Sequence, residues 1–114
     1  MTRQSRPEML FAAQCADSDV LPPLVPEFKF CSTRKWRFDF CDFPTMLAFE
    51  IEGSIWGGRG RHVRGQGFSD DCEKYNEAQL MGFVVLRFST GQVLKGKAVK
   101  VITRALGFEE PKGA

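Results

Sequence analysis

Three carboxylates and one amine carry the first chemical signal in this chain. Asp39 sits in Arg37-Phe-Asp39-Phe-Cys41, and Glu50 and Glu52 sit in Leu47-Ala-Phe-Glu50-Ile-Glu52. Both segments alternate apolar with polar residues, the period of a strand. Side chains two apart share a face, so Glu50 and Glu52 project together, opposite Leu47, Phe49 and Ile51. By the same rule Asp39 projects away from Phe38 and Phe40. If the two strands pair, the three acids converge on one side of the sheet. Converging carboxylates repel unless a cation lies between them, and hard oxygen ligands suit Mg²⁺ or Mn²⁺. The same alternation also arises when acids simply line a solvated face. Lys74 follows on a helical segment beside Asp71 and Ala78. It can reach the acids if that helix crosses their edge of the sheet, where an ammonium stabilises a phosphate oxyanion. Otherwise it forms a surface ion pair with Asp71, of small energetic weight.

A second signal is basic. Gly53 to Gly67 holds six of the 11 glycines, together with Arg59, Arg61, Arg64 and the single histidine, His62. Glycines allow close backbone approach, and arginines bind phosphate bidentately, which suits a loop that touches nucleic acid. His62 can act as general acid or base near neutral pH. A solvated loop with an incidental histidine has the same composition. No Gly-Lys-Ser/Thr follows the glycines, so the sequence does not support a nucleotide-binding P-loop. Arg34, Lys35 and Arg37 form a second basic group.

These groups belong to a chain of 114 residues that is 43% hydrophobic and 26% charged, the proportions of one ordinary globular domain. Eleven phenylalanines exclude a disordered tail. The net charge of +2 is too small to imply a nucleic-acid partner by itself, but the basic clusters are segregated from the acids at Asp70, Asp71, Glu73, Glu109 and Glu110. No apolar run is long enough to span a membrane, and Met9 to Ala13 is too short for a signal-peptide core. The expectation is a cytoplasmic protein that does not engage membranes. Cys15, Cys31, Cys41 and Cys72 lack metal-site spacing and read as reduced thiols.

The elements that must position these groups follow from periodicity. Residues 1–26 read as a lead-in with one short helix, Glu8 to Cys15, followed by Pro22, Pro23 and Pro26. Strands are expected from Glu27 to Cys31, from Trp36 to Cys41 and from Leu47 to Glu52, joined by short turns as an antiparallel meander. Ser69 can cap a helix with Asp70, Asp71 and Glu73 in its first turn. Phe83 to Ser89 is nearly all apolar, as expected of a central strand covered on both faces. Thr90 can cap a last helix whose core stripe is Leu94, Ala98, Val101, Ile102 and Ala105, ended by Gly107. Residues 27–107 then form the domain, and 108–114 a tail. The order αβββαβα predicts an α/β or α+β fold: a mixed four-stranded sheet flanked by helices, with the third and fourth strands parallel.

Arg37-Phe-Asp39-Phe, then Ala48-Phe-Glu50-Ile-Glu52-Gly53, His62, Asp71-Cys-Glu-Lys74-Tyr-Asn76 and Gly82-Phe-Val-Val-Leu-Arg87-Phe88 together resemble the PD-(D/E)XK nuclease superfamily. Within it the chain is similar to small endonuclease-domain proteins, many of them phage-encoded, near the very-short-patch-repair endonucleases. The resemblance runs from about Glu27 to Leu106 and implies a restriction-endonuclease-like core. It implies that Asp39, Glu50 and the Ile51 backbone carbonyl hold Mg²⁺ or Mn²⁺. Glu52 stands where the family pattern has lysine, and Lys74 would supply that cation from the helix. Glu52, His62 or a second metal would handle the proton of the attacking water. Arg34, Lys35, Arg37, Arg59, Arg61, Arg64 and Asn76 would contact DNA. The implied activity is metal-dependent DNA endonuclease cleavage, nicking or junction-resolving, by a monomer or a two-fold homodimer. The alternative is a nucleic-acid-binding module on the same fold, disabled by loss of the motif lysine.

Overall fold

The computed structural model describes residues 4–52 and 65–108. Helix α1 (Arg6–Ala16) is followed by strands β1 (Val25–Lys29) and β2 (Arg37–Asp42), a single 3₁₀ turn (Phe43–Thr45) and strand β3 (Leu47–Glu52). Helix α2 (Gly65–Leu80), strand β4 (Val84–Ser89) and helices α3 (Thr90–Leu94) and α4 (Lys97–Ala105) complete the order. The sheet order is β1-β2-β3-β4. The first two pairings are antiparallel and β3–β4 is parallel, with α2 in the crossover. The α+β class, the mixed four-stranded sheet and the parallel pair agree with the pattern read from the sequence.

Two apolar clusters lie in this fold. One gathers Phe11 and Cys15 of α1, Phe40, Phe49, Ile51 and Phe88 of the sheet, and Val93, Ala98 and Ile102 of α3 and α4. The other gathers Phe30, Phe38, Cys41, Ala48 and Phe83 with Ala78 of α2. Helix α1 is therefore part of the core rather than of a lead-in. Its start is fixed locally: the Ser5 hydroxyl accepts from the Glu8 amide, and the Glu8 carboxylate accepts from the Ser5 amide at 2.6 Å. Phe11, one turn further on, is fully buried against Phe40 with ring centroids 5.0 Å apart.

Several local expectations are corrected. Strand β4 is an edge strand of this sheet and not a central one, and Val84 is half exposed. Helix α2 starts before Ser69, which lies inside it. The last helix is two helices, because Gly96 takes the left-handed conformation (φ 74°) and ends the first. Its N-cap is Ser89, in a reciprocal box with Gln92, and not Thr90. Leu94 and Ala105 face outward, so the buried stripe of this segment narrows to Val93, Ala98 and Ile102. The first strand begins at Val25 rather than Glu27.

The most consequential departure concerns strict alternation. Phe38 and Phe40, two residues apart in β2, belong to different clusters. The change of face falls at Asp39. In the paired strand the matching residue, Glu27, adopts the left-handed conformation with φ 52°. That is uncommon for a residue with a Cβ and costs about 1 kcal/mol. The sheet is thus re-aimed at the one level where Glu27 and Asp39 face each other.

Candidate active site

The irregularity at Asp39 opens the β2–β3 ladder. Regular pairing runs from Asp42↔Leu47 to Phe40↔Phe49. At the next level side chains take over the backbone's hydrogen bonds. The Asp39 amide donates to Glu50 Oε2 at 2.9 Å, and the Ile51 amide donates to Asp39 Oδ2 at 2.7 Å. Asp39 and Glu50 are therefore held against each other by the backbone between them, each carboxylate satisfying the other strand's amide.

Glu50 is 7% exposed. Its Oε1 accepts from Lys74 Nζ at 3.2 Å and from the Tyr75 hydroxyl at 2.9 Å, both on α2. Helix α2 is placed for this by Ala78, which is fully buried in the cluster beneath it. Lys74 therefore pairs with Glu50 and not with Asp71. Burial pushes the Glu50 carboxyl up from its ordinary range, and the Lys74 charge, the Asp39 amide and the Tyr75 hydroxyl oppose that rise. Tyr75 is raised strongly by burial and then by the charge of Glu50, so it stays a neutral donor.

On the other side of Asp39 lie two acids that sequence reasoning passed over. Carboxylate oxygens of Glu8, Glu27 and Asp39 all lie within 4.8 Å of one another. Burial, then the Glu50 charge, then a hydrogen bond with Glu8 push the Asp39 carboxyl up to about 8. In the sequence Glu8 stands only as the start of the short N-terminal helix, and in the structure its carboxylate completes the α1 capping box. Only the packing of α1 against the sheet brings it to Asp39. Glu27 carried no signal, because an expected strand start gives no hint of a left-handed backbone.

Glu52 leaves the acidic group. Its Oε2 accepts from Arg87 Nε at 2.7 Å, and the Arg87 guanidinium carbon lies 4.6 Å from the centroid of the Tyr75 ring. Glu50 and Arg87 are register partners across the parallel β3–β4 pair, which brings the arginine to this side. Arg87 and Tyr75 stood inside the motif segments, but neither had a role assigned from sequence. Ile51 contributes its amide to the site by way of Asp39.

Of the expected DNA-contacting residues, Arg34 stacks on Trp36 at 3.9 Å and pairs with Glu73 of α2 at 3.3 Å. Lys35, Arg37 and Asn76 are exposed. His62, Arg59, Arg61 and Arg64 lie outside the described residues. A separate hollow beneath α1, lined by Ala12, Cys15, Leu21, Leu24 and Phe40 among others, is apolar. Burial pushes the Cys15 thiol there up to about 12, which leaves it unreactive. No helix among the described residues is long and apolar enough to cross a membrane.

Comparison with family models, with curated proteins and with solved structures finds no match to this chain.

Proposed function

We propose that the chain is a metal-dependent nuclease that hydrolyses phosphodiester bonds in DNA, on a restriction-endonuclease-like arrangement of the sheet and α2. The supporting observation is the buried Glu50–Lys74 pair joined directly to Asp39, whose outer neighbours are Glu8 and Glu27. A purely structural cluster of this kind is costly: three acids in close contact, one of them protonated up to about pH 8, lower stability at neutral pH. Such a cost is common where chemistry is done.

The donor set suits a hard divalent cation. Asp39, Glu8 and Glu27 offer only carboxylate oxygens, as Mg²⁺ and Mn²⁺ prefer. Glu50, with three donors already on its oxygens, serves better to fix Asp39 than to ligate. This differs from the ligand set that the resemblance implies, Asp39, Glu50 and the Ile51 carbonyl. Bound there, the metal would polarise the phosphate and lower the pKa of a water. The Asp39 carboxylate orients toward Glu8 and Glu27 because the Ile51 amide holds its other oxygen. Lys74 keeps charge on Glu50, and its remaining N–H bonds suit a phosphate oxygen. The exposed bases Lys35 and Arg37, and the glycine- and arginine-rich segment, would carry the DNA backbone. A two-fold dimer would offer one such site to each strand of a duplex. A DNA substrate fits the expected cytoplasmic setting.

One observation favours the disabled binding module instead: the position of the motif lysine is Glu52, and its charge is spent on Arg87. Cleavage assays with Mg²⁺ or Mn²⁺ decide between the two. Linear duplex, single-stranded, flapped and four-way-junction DNA serve as substrates, with Asp39→Asn and Glu50→Gln as controls. We expect metal-dependent cleavage that both substitutions abolish. Salt-sensitive binding with no cleavage of any substrate would establish the binding module, and neither binding nor cleavage would overturn both readings.

A further inference from the structure

We infer that Arg87 is a phosphate-binding residue of this site and that Glu52 is its positioning residue, rather than a group that handles the proton of a water. The inference rests on the nuclease reading for the identity of the ligand, an anionic oxygen of a nucleic-acid backbone.

Three constraints fix the arginine. Its Cα is set by the register with Glu50 in the β3–β4 pair. Its Nε is held by Glu52 Oε2 at 2.7 Å. Its guanidinium lies at the Tyr75 ring, 4.6 Å from the centroid, and that ring is pinned by its own hydroxyl on Glu50. A surface arginine loses much rotamer freedom when it binds an anion. Here that ordering is already done, which favours binding. The side chain is nevertheless half exposed. Among the described residues no hydrogen bond reaches its two Nη groups, so the outer edge of the fork is left for a bidentate acceptor. The hydrogen bond with Glu52 raises the arginine's pKa further, and its charge is permanent.

The placement also accounts for Glu52. Two cations are brought to the neighbourhood of Glu50 and Tyr75: Lys74 from α2, in contact with Glu50, and Arg87 from β4, at the Tyr75 ring. Glu52 supplies the fixed anchor for the second. Asp71 is the opposing charge. It lies near enough to act on Arg87 and would repel an incoming phosphate. Neutralising it should therefore tighten binding.

The test uses the full chain with a fluorescent duplex DNA of about 16 base pairs, Ca²⁺ being present to exclude cleavage, and, separately, inorganic phosphate without a divalent cation. Affinity is measured over a range of salt. The Arg87 Nε–H resonance is followed by NMR during both titrations. We expect Arg87→Met to weaken DNA binding about tenfold and to lower the log–log salt slope by about one. Arg87→Lys should keep the slope and lose part of the affinity. Glu52→Gln should weaken binding several-fold with the slope retained, because the charge stays and its placement is lost. Asp71→Asn should tighten binding. Thermal melts identify variants that fail to fold, and for those the wild-type Arg87 resonance decides the matter. DNA binding unchanged by Arg87→Met, with an unmoved resonance, would overturn the inference and leave the nuclease reading standing. If wild-type protein binds no DNA while phosphate moves the Arg87 resonance, the anion site holds and the nuclease reading falls. If neither ligand moves it, the inference is overturned.

Discussion

Replacing Lys74 by methionine removes the cation that neutralises Glu50 while keeping most of the side chain's volume. At 3.2 Å the pair attracts by about 5 kcal/mol for an effective dielectric constant of ~20. Glu50 would keep the Tyr75 hydroxyl and the Asp39 amide, so the net cost of leaving it charged is about 2–4 kcal/mol. A stranded carboxylate can escape by taking up a proton. From the ordinary value of 4.5, escape costs about 1.4 kcal/mol for each pH unit above it. The substitution raises the folded pKa of Glu50 still further. An acid raised in the folded state favours folding below its unfolded pKa and loses that advantage as pH climbs toward the folded one. Destabilisation by Lys74→Met should therefore be about 1 kcal/mol at pH 5.5 and about 2–4 kcal/mol at pH 8. Urea unfolding at the two pH values measures it, and Glu50→Gln added to Lys74→Met should restore most of the loss at pH 8. An equal loss at both pH values, or no restoration, would refute the claim that this lysine holds a buried carboxylate charged.

Asp39, raised to about 8, makes the metal-free protein lose stability as pH rises from about 4 to 8, by up to ~0.5–1 kcal/mol per unit after allowance for its partial exposure. Asp39→Asn should flatten that slope in urea unfolding. Mn²⁺ should raise the midpoint of thermal unfolding more at pH 8 than at pH 6, because the cation replaces a proton on the acidic group. The increment should vanish with a chelator and in Asp39→Asn. Tyr75→Phe, which leaves a buried carboxylate oxygen short of one donor, should cost about 1–2 kcal/mol, read by chemical denaturation. Phe11→Ala should cost about 3–5 kcal/mol, since the ring is fully buried in the core; a loss under 1 kcal/mol would show α1 to be detachable.

The sequence by itself determined what depends on neighbours along the chain. Alternation in Leu47–Glu52 sets Glu50 and Glu52 against Phe49 and Ile51, because the side-chain period of an uninterrupted strand is two. A helix between two apolar strands makes β3 and β4 parallel, since the chain must return to the same end of the sheet. That Asp39, Glu50 and Lys74 meet was one of two readings of the alternation and the helix spacing, which fit a solvated face and a surface ion pair with Asp71 as well; the packing of α2 on the sheet decided it.

Tertiary structure alone decided who touches whom at that cluster. Glu8 reaches Asp39 only because Phe11 and Cys15 seat α1 on the sheet, a packing choice that no local pattern encodes. The flip between Phe38 and Phe40 depends on Glu27 entering a left-handed conformation, which nothing in its neighbours demands and the paired strand must accommodate. Glu52 is indistinguishable from Glu50 in the alternation. Its separation from the other acids comes from Arg87, which β4 sets across from Glu50 in register and which Tyr75 holds from α2. Periodicity fixes the face a side chain points from. The charge it meets is fixed by the strand and helix that pack there, and those contacts separate residues whose local sequence is the same.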